Sequence, residues 1–267
     1  MNRSLFLALL ATSALTQATS FAGVTVVGNL ARQIKVQPGQ AFDGVVLLKN
    51  TDSHPAEARI YQTDYSSRAD GTSDYAEPGT SPRSNANWIT LSPSRVKLAP
   101  GETVPVRFKG TAPKKADLRG SYWSMLMVEP NASAAASPET GKVSVGLQTL
   151  IRFGVQIVTE VGTQGTRSLQ ILDKSMAKAD GKRMLQVDLA NNGERLLIPN
   201  VALELFDRAG ASIGRFDGGR TRIYPASSVR ARVDLTDVPP GQYTAMLLLD
   251  SGDEQVMAAQ YDLEVAP

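Results

Sequence analysis

The side chains best suited to chemistry are few in this chain and poorly grouped. His54 is the only histidine and there is no cysteine, so a nucleophilic relay, a reactive thiolate or a zinc site has almost nothing to draw on. His54 stands in Asn50-Thr51-Asp52-Ser53-His54-Pro55. Asp52, Ser53 and His54 are the residue types of a catalytic triad, but neighbours in one polar turn cannot form the relay geometry, and no nucleophile-elbow pattern occurs. Asp70, Asp74 and Glu77 are oxygen donors of the calcium type, yet they lack the alternate-residue acidic spacing of a known loop. There is no glycine-rich phosphate loop. These absences argue against an enzyme and lead us to expect no cofactor and no metal.

The chain does carry a pattern suited to binding another backbone. From Lys142 to Val158, KVSVGLQTLIRFGVQIV alternates over seventeen residues, well beyond a typical strand of about five or six. Val143, Val145, Leu147, Thr149, Ile151, Phe153, Val155 and Ile157 share one face. Ser144, Gly146, Gln148, Leu150, Arg152, Gly154 and Gln156 share the other. Period two is a β signal. A strand of this length outruns its neighbours, and an apolar edge that no proline interrupts is a hazard unless it is used. Two readings stand: the strand receives a partner by strand addition, or it is an inner strand covered by its own domain.

The elements that would hold it are also β. The first half reads as strands near Val24–Val36, Gly44–Asn50, Ala56–Asp64, Trp88–Leu91, Arg95–Leu98, Val104–Lys109, Ser121–Glu129 and Lys142–Val158, with Pro38-Gly39 and Pro100-Gly101 as turns. Ser66 to Asn87 and Asn131 to Gly141 read as surface loops. The second half reads as strands near Ser168–Leu172, Arg183–Ala190, Asn200–Asp207, Ser228–Leu235, Tyr243–Leu249 and Gln255–Val265, the last burying Met257, Tyr261, Leu263 and Val265. No stretch has the amphipathic helical period. The expected fold is all-β, two immunoglobulin-like β-sandwich domains, over residues 23–159 and 167–267, with EVGTQGT at 160–166 as the linker.

Residues 1–22 read as a cleaved signal peptide: Asn2 and Arg3, an apolar run from Leu5 to Leu10 extended by Ala11, Ala14 and Leu15, then Ser20-Phe21-Ala22. The run is shorter than the roughly 20 residues of a bilayer span, and no later segment reaches that length without charges. Cleavage leaves about 245 of 267 residues and, with Arg3 gone, takes the formal charge from +2 to about +1. Such a balance gives no reason to invoke nucleic acid or an anionic membrane. An exported chain without cysteine holds itself together by burial alone.

Three segments carry a resemblance: WITLSPSRVKLAPGETVPVRF from Trp88 to Phe108, GSYWSMLMVEP from Gly120 to Pro130, and LQTLIRF from Leu147 to Phe153. In order and spacing they resemble the N-terminal domain of the periplasmic chaperones of the chaperone-usher pilus pathway, over roughly residues 24–158. The resemblance implies a periplasmic chaperone that stabilises incomplete pilin-like or surface-fibre subunits by donating its seventh strand, with an outer-membrane usher as a further partner. It implies that Val143, Val145 and Leu147 fill the subunit groove. Arg152 matches the basic residue that, with an arginine on the first strand, anchors the subunit's C-terminal carboxylate, and a guanidinium suits that role by its bidentate geometry. On the first strand Ile34 falls at the matching place, so its neighbours Lys35 and Arg32 are the candidates. Residues Arg183 to Val265 match that family only in being all-β. A non-catalytic structural or adhesive surface protein is therefore the alternative.

Overall fold

The computed structural model of the protein describes residues 23–131, 151–179, 181–252 and 256–266. In the first half the strands are β1 Val24–Val27, β2 Ala31–Val36, β3 Ala41–Asn50, β4 Ala56–Ser67, β5 Ser73–Ala76, β6 Ile89–Ser92, β7 Arg95–Leu98, β8 Thr103–Thr111, β9 Gly120–Pro130 and β10 Phe153–Val161. The second half follows with β11 Leu169–Ala179, β12 Lys182–Asn191, β13 Asn200–Phe206, β14 Ser212–Arg220, β15 Ser228–Asp234, β16 Gly241–Asp250 and β17 Val256–Val265. One 3-10 turn, Ala86–Trp88, is the only helical element among the described residues.

Two sandwiches result. In the first, the sheet β1-β3-β8-β6 faces the sheet β2-β10-β9-β4-β5, with β7 also pairing β4; in the second, β11-β12-β15 faces β14-β13-β16-β17. Each has its own core, with Val46, Leu48, Phe108, Leu126, Val128 and Ile157 at the centre of the first and Leu185, Leu189, Leu203, Leu205, Val233 and Leu247 at the centre of the second. Alternation decides what enters these cores. Phe42, Val46 and Leu48 of β3 are buried while their neighbours Asp43, Leu47 and Lys49 are exposed. Close packing constrains the register as well: Gly44 lies opposite Phe108 and Phe42 opposite Gly110. Each ring covers the facing glycine so tightly that a Cβ at Gly44 would stand 2.2 Å from the Phe108 ring and one at Gly110 2.5 Å from the Phe42 ring.

The expected first strand, Val24 to Val36, is two strands in two sheets. β1 pairs antiparallel with β3, and β2 crosses to pair parallel with β10. The crossing is made at Gly28, whose φ of 88° is a left-handed conformation open to glycine. β14 was not expected; its three glycines and the register shifts in its pairing with β13 erase the alternation that marks a strand. Met257 of β17 is 37% exposed rather than buried, whereas Leu263 and Val265 are buried.

The expected surface loop from Ser66 to Asn87 is largely built around one carboxylate. β4 runs on to Ser67 and returns as β5, after which the chain folds back over Asp64. Asp64 is buried and accepts hydrogen bonds from the amides of Ser81 at 2.7 Å and Gly79 at 3.1 Å and from the hydroxyls of Ser84 and Thr80. Burial alone would raise its pKa, but the Ser84 hydroxyl and the two amides outweigh that and hold it below the ordinary carboxylate value. Because the folded pKa is the lower one, the carboxylate contributes stability above the unfolded value of about 3.9, and that contribution is lost as pH falls through the folded pKa. Asp64→Ala, which strands the buried donors, is expected to cost about 2–3 kcal/mol. Denaturant melts at pH 7 and pH 3 are the check: the gap between wild type and variant should narrow at the lower pH.

Candidate functional site

The site begins with the parity of β10. Val155, Ile157 and Val161 enter the core of the first sandwich, so the even positions point the other way, toward the second sandwich. Along that face the environment changes from closed to open. Glu160 is buried against Arg195, Val158 packs with Trp123, Leu196 and Tyr224, and the Gln156 amide oxygen accepts the Tyr224 hydroxyl at 2.6 Å. Beyond Gln156, Gly154 and Arg152 lie outside the covered zone. β9 shows the same division: Tyr122, Leu126 and Val128 pack in the core, while Ser121 and Trp123 meet the second sandwich.

The junction is held by charges and hydrogen bonds. Arg195 Nη2 lies 2.7 Å from Glu160 Oε2, with only 10% and 4% of the two side chains exposed. Ser121 donates its hydroxyl to Glu160 at 2.7 Å and accepts the Leu196 amide at 2.6 Å, and Arg195 Nη1 donates to the carbonyls of Gln164 and Gly162. Glu194 beside it receives Arg119 at 3.1 Å, Arg83 at 3.4 Å and the Thr166 amide at 3.0 Å. Its pKa is held low by the Arg119 guanidinium first and the Thr166 amide second. The Trp123 and Tyr224 rings stack at 4.6 Å and 23°. Burial pushes the Tyr224 phenol well above its usual pKa, so it stays a neutral donor. On the far side the β4–β5 hairpin reaches across, the Ala69 amide donating to Ser228 Oγ at 2.9 Å. Glu160 and Val161, placed in the linker on sequence grounds, are the last residues of β10.

Among the described residues, one edge of β10 is unpaired at its start. β9 pairs with it from Phe153 to Val161, but β2 covers the opposite edge only from Gln156 to Val161. The last bond on that side is from the Gln156 amide to the Leu30 carbonyl, 2.8 Å. Phe153 to Val155 thus have no strand on that side among the described residues. Leu30 and Ile151, at the open end, are 47% and 41% exposed.

Of the expected site residues, Val143, Val145 and Leu147 lie outside the described residues. Arg152 is 61% exposed, with Nε 3.2 Å from Glu129 Oε1, while Arg59 takes Oε2 at 2.8 Å. The Arg59 hydrogen bond, with the charge of Arg152 behind it, lowers the Glu129 pKa. Arg32 and Lys35 are not brought to Arg152. They stand opposite Ile157 and Glu160, five and eight positions further along β10, or roughly 16 and 26 Å at the rise of a strand. Arg32 donates to the carbonyl of Asn29. His54 is exposed, and Ser53 and Asp52 both approach the same ring nitrogen, Nδ1, which leaves no relay through the imidazole. Asp70 is engaged by Thr72, and Asp74 by Arg68.

Sequence reasoning missed Glu160, Arg195, Trp123 and Tyr224. One signal was present: SYWSMLMV in β9 is apolar on both faces, the pattern of a strand covered on both sides. Compared with family models and with curated proteins, the chain matches none of them. Among solved structures it is similar to a chaperone–tip adhesin complex of CFA/I fimbriae biogenesis, at 12% identity over 92% of this chain and 100% of that one with a TM-score of 0.49. It is also similar to the class 5 fimbriae chaperone CfaA, at 13% over 89% and 98% with 0.47, and to the E. coli chaperone DraB, at 13% over 91% and 97% with 0.42.

Removing one partner of a buried ion pair leaves the other charge uncompensated. Arg195→Ala should therefore cost about 3–5 kcal/mol, and adding Glu160→Met should return much of it. Thermal melts of the two single variants and the double variant test this: additive losses would mean that the pair is not coupled.

Proposed function

We propose that the protein is an exported, periplasmic assembly chaperone that binds incomplete immunoglobulin-like pilus or surface-fibre subunits by strand addition. The observation that carries this reading is the edge of β10 from Phe153 to Val155, which no strand among the described residues covers opposite β9. Its pairing with β2 stops at Gln156, while the apolar alternation runs upstream through Leu147, Val145 and Val143. A client strand laid along that edge gains main-chain hydrogen bonds, and the alternating side chains fill its groove. The mechanism is non-catalytic: the chaperone supplies the strand that an incomplete sandwich lacks, covering apolar surface that would otherwise aggregate. A fixed junction serves this mechanism, because a docking edge beside a second domain needs that domain in a constant place.

Arg152 stands at the mouth of this edge. In our reading its guanidinium, whose Nε lies 3.2 Å from Glu129 Oε1, turns its terminal nitrogens toward a client carboxylate. Export by residues 1–22 and the usher as a later partner belong to the same proposal. The alternative of a structural or adhesive protein requires the same apolar strand to be internal.

Val145→Arg separates the two readings. In a chaperone the position faces a client, so the melting temperature should hold while client recovery from periplasmic extracts collapses. In a self-contained sandwich, burying an arginine would cost several kcal/mol against a domain stability of about 5–15. A large fall in melting temperature for this variant would rule out the donor role of the strand.

A further inference from the structure

On one side of the second sandwich both sheets end in strands that pair with no further strand among the described residues, β11 and β17. The two edges differ. β11 carries the features that deter pairing, a register break between Ile171 and Asp173 and the exposed Lys174 and Lys178. β17 carries none of them. It pairs with β16 without a break from Val256 to Val265, and its sequence VMAAQYDLEV holds no proline and no lysine. Its first residues are apolar and exposed, Val256 by 54%. Its only charges, Asp262 and Glu264, stand exposed in the other half of the strand.

This uneven charge selects the occupant. A second β17 laid antiparallel, with the two-fold axis at Gln260, sets Asp262 opposite the partner's Ala258 and Glu264 opposite the partner's Val256. No acid then meets an acid. The two Asp262 side chains stand about 14 Å apart along the strands, beyond the roughly 8 Å over which exposed charges act at physiological salt. A parallel pair in register would bring them to roughly 5 Å. On the opposite face Met257 comes to lie against the partner's Leu263 and loses its exposure, and the symmetry repeats that gain. Glu264 reaches Val256 beside a cavity of about 910 Å³ whose lining includes Arg167, Val256, Met257 and Ala258. We propose that the protein pairs with a second copy of itself through β17, joining two four-stranded sheets into one of eight strands. β10 belongs to the first sandwich, so the inference stands or falls apart from the reading of β10 as a client edge.

The test is sedimentation velocity of residues 23–267 over about a hundredfold range of concentration, which should show a monomer passing to a dimer. Ala258 is exposed, so charged replacements there leave the core intact, and melting temperatures of the monomers should agree. Ala258→Asp places a second acid opposite the partner's Asp262 and should weaken the dimer about tenfold, because the two-fold axis makes that opposition twice. Ala258→Lys should hold or tighten it. Gln260→Cys gives a register check that leaves the charges alone, since the chain has no cysteine of its own. Directly opposed Cα atoms in an antiparallel pair lie about 4.5–5.5 Å apart, within the span of a disulfide. Mild oxidation should therefore cross-link Gln260→Cys and leave Val256→Cys uncross-linked. Wild type that stays monomeric throughout overturns the inference, as do equal effects of the aspartate and lysine variants or equal cross-linking of the two cysteine variants.

Discussion

The buried pair between Glu160 and Arg195 is the contact on which the rest of the molecule depends. Two charges are tolerated out of water only when their geometry is good and their remaining donors and acceptors are met. Here Ser121 and the carbonyls of Gly162 and Gln164 meet them. Such a set admits little displacement, because each shift strands a buried polar atom. The end of β10 is therefore pinned to the loop at Arg195, and the two sandwiches to each other. The Trp123–Tyr224 stack and the hydrogen bond from Tyr224 to Gln156 follow from that placement, not the reverse, since apolar contacts have no comparable directionality.

β10 serves three purposes because a strand has two faces and two edges. Its odd side chains build the first core, its even side chains build the junction, and one edge pairs with β9 over its whole length. Only the other edge is divided. β2 covers it beside the junction, from Gln156 to Val161, and among the described residues no strand covers it further out, a division made where the chain crosses between sheets at Gly28. Were β1 and β2 one continuous strand in either sheet, the edge would be wholly covered or wholly bare. The pairing with β2 therefore stops at Gln156.

Much of this was legible in the residues. The alternation of β3, β8 and β10 and the turn residues between strands specify an all-β chain, since period two allows one face of each strand to be buried. Other features were hidden for identifiable reasons. Asp64 sits among serines, threonines and glycines that look like solvent loop, and only the fold directs their donors at one carboxylate. β14 lost its signal to glycines and bulges. The junction pair was hidden because Glu160 and Arg195, ordinary surface types by composition, are thirty-five positions apart and their burial is a property of the assembled junction.

Sequence by itself determined the local choices: extended backbone, which side chains seek a core, and where the chain turns, because these follow from side-chain period and backbone sterics over a few residues. Tertiary structure alone decided which edge of β10 pairs with β2, where that pairing stops, and which charges are buried. Those outcomes depend on distances between segments far apart in the chain. Arg195 has no distinguishing signal in its own segment and gains its meaning only when the second sandwich is docked against Glu160.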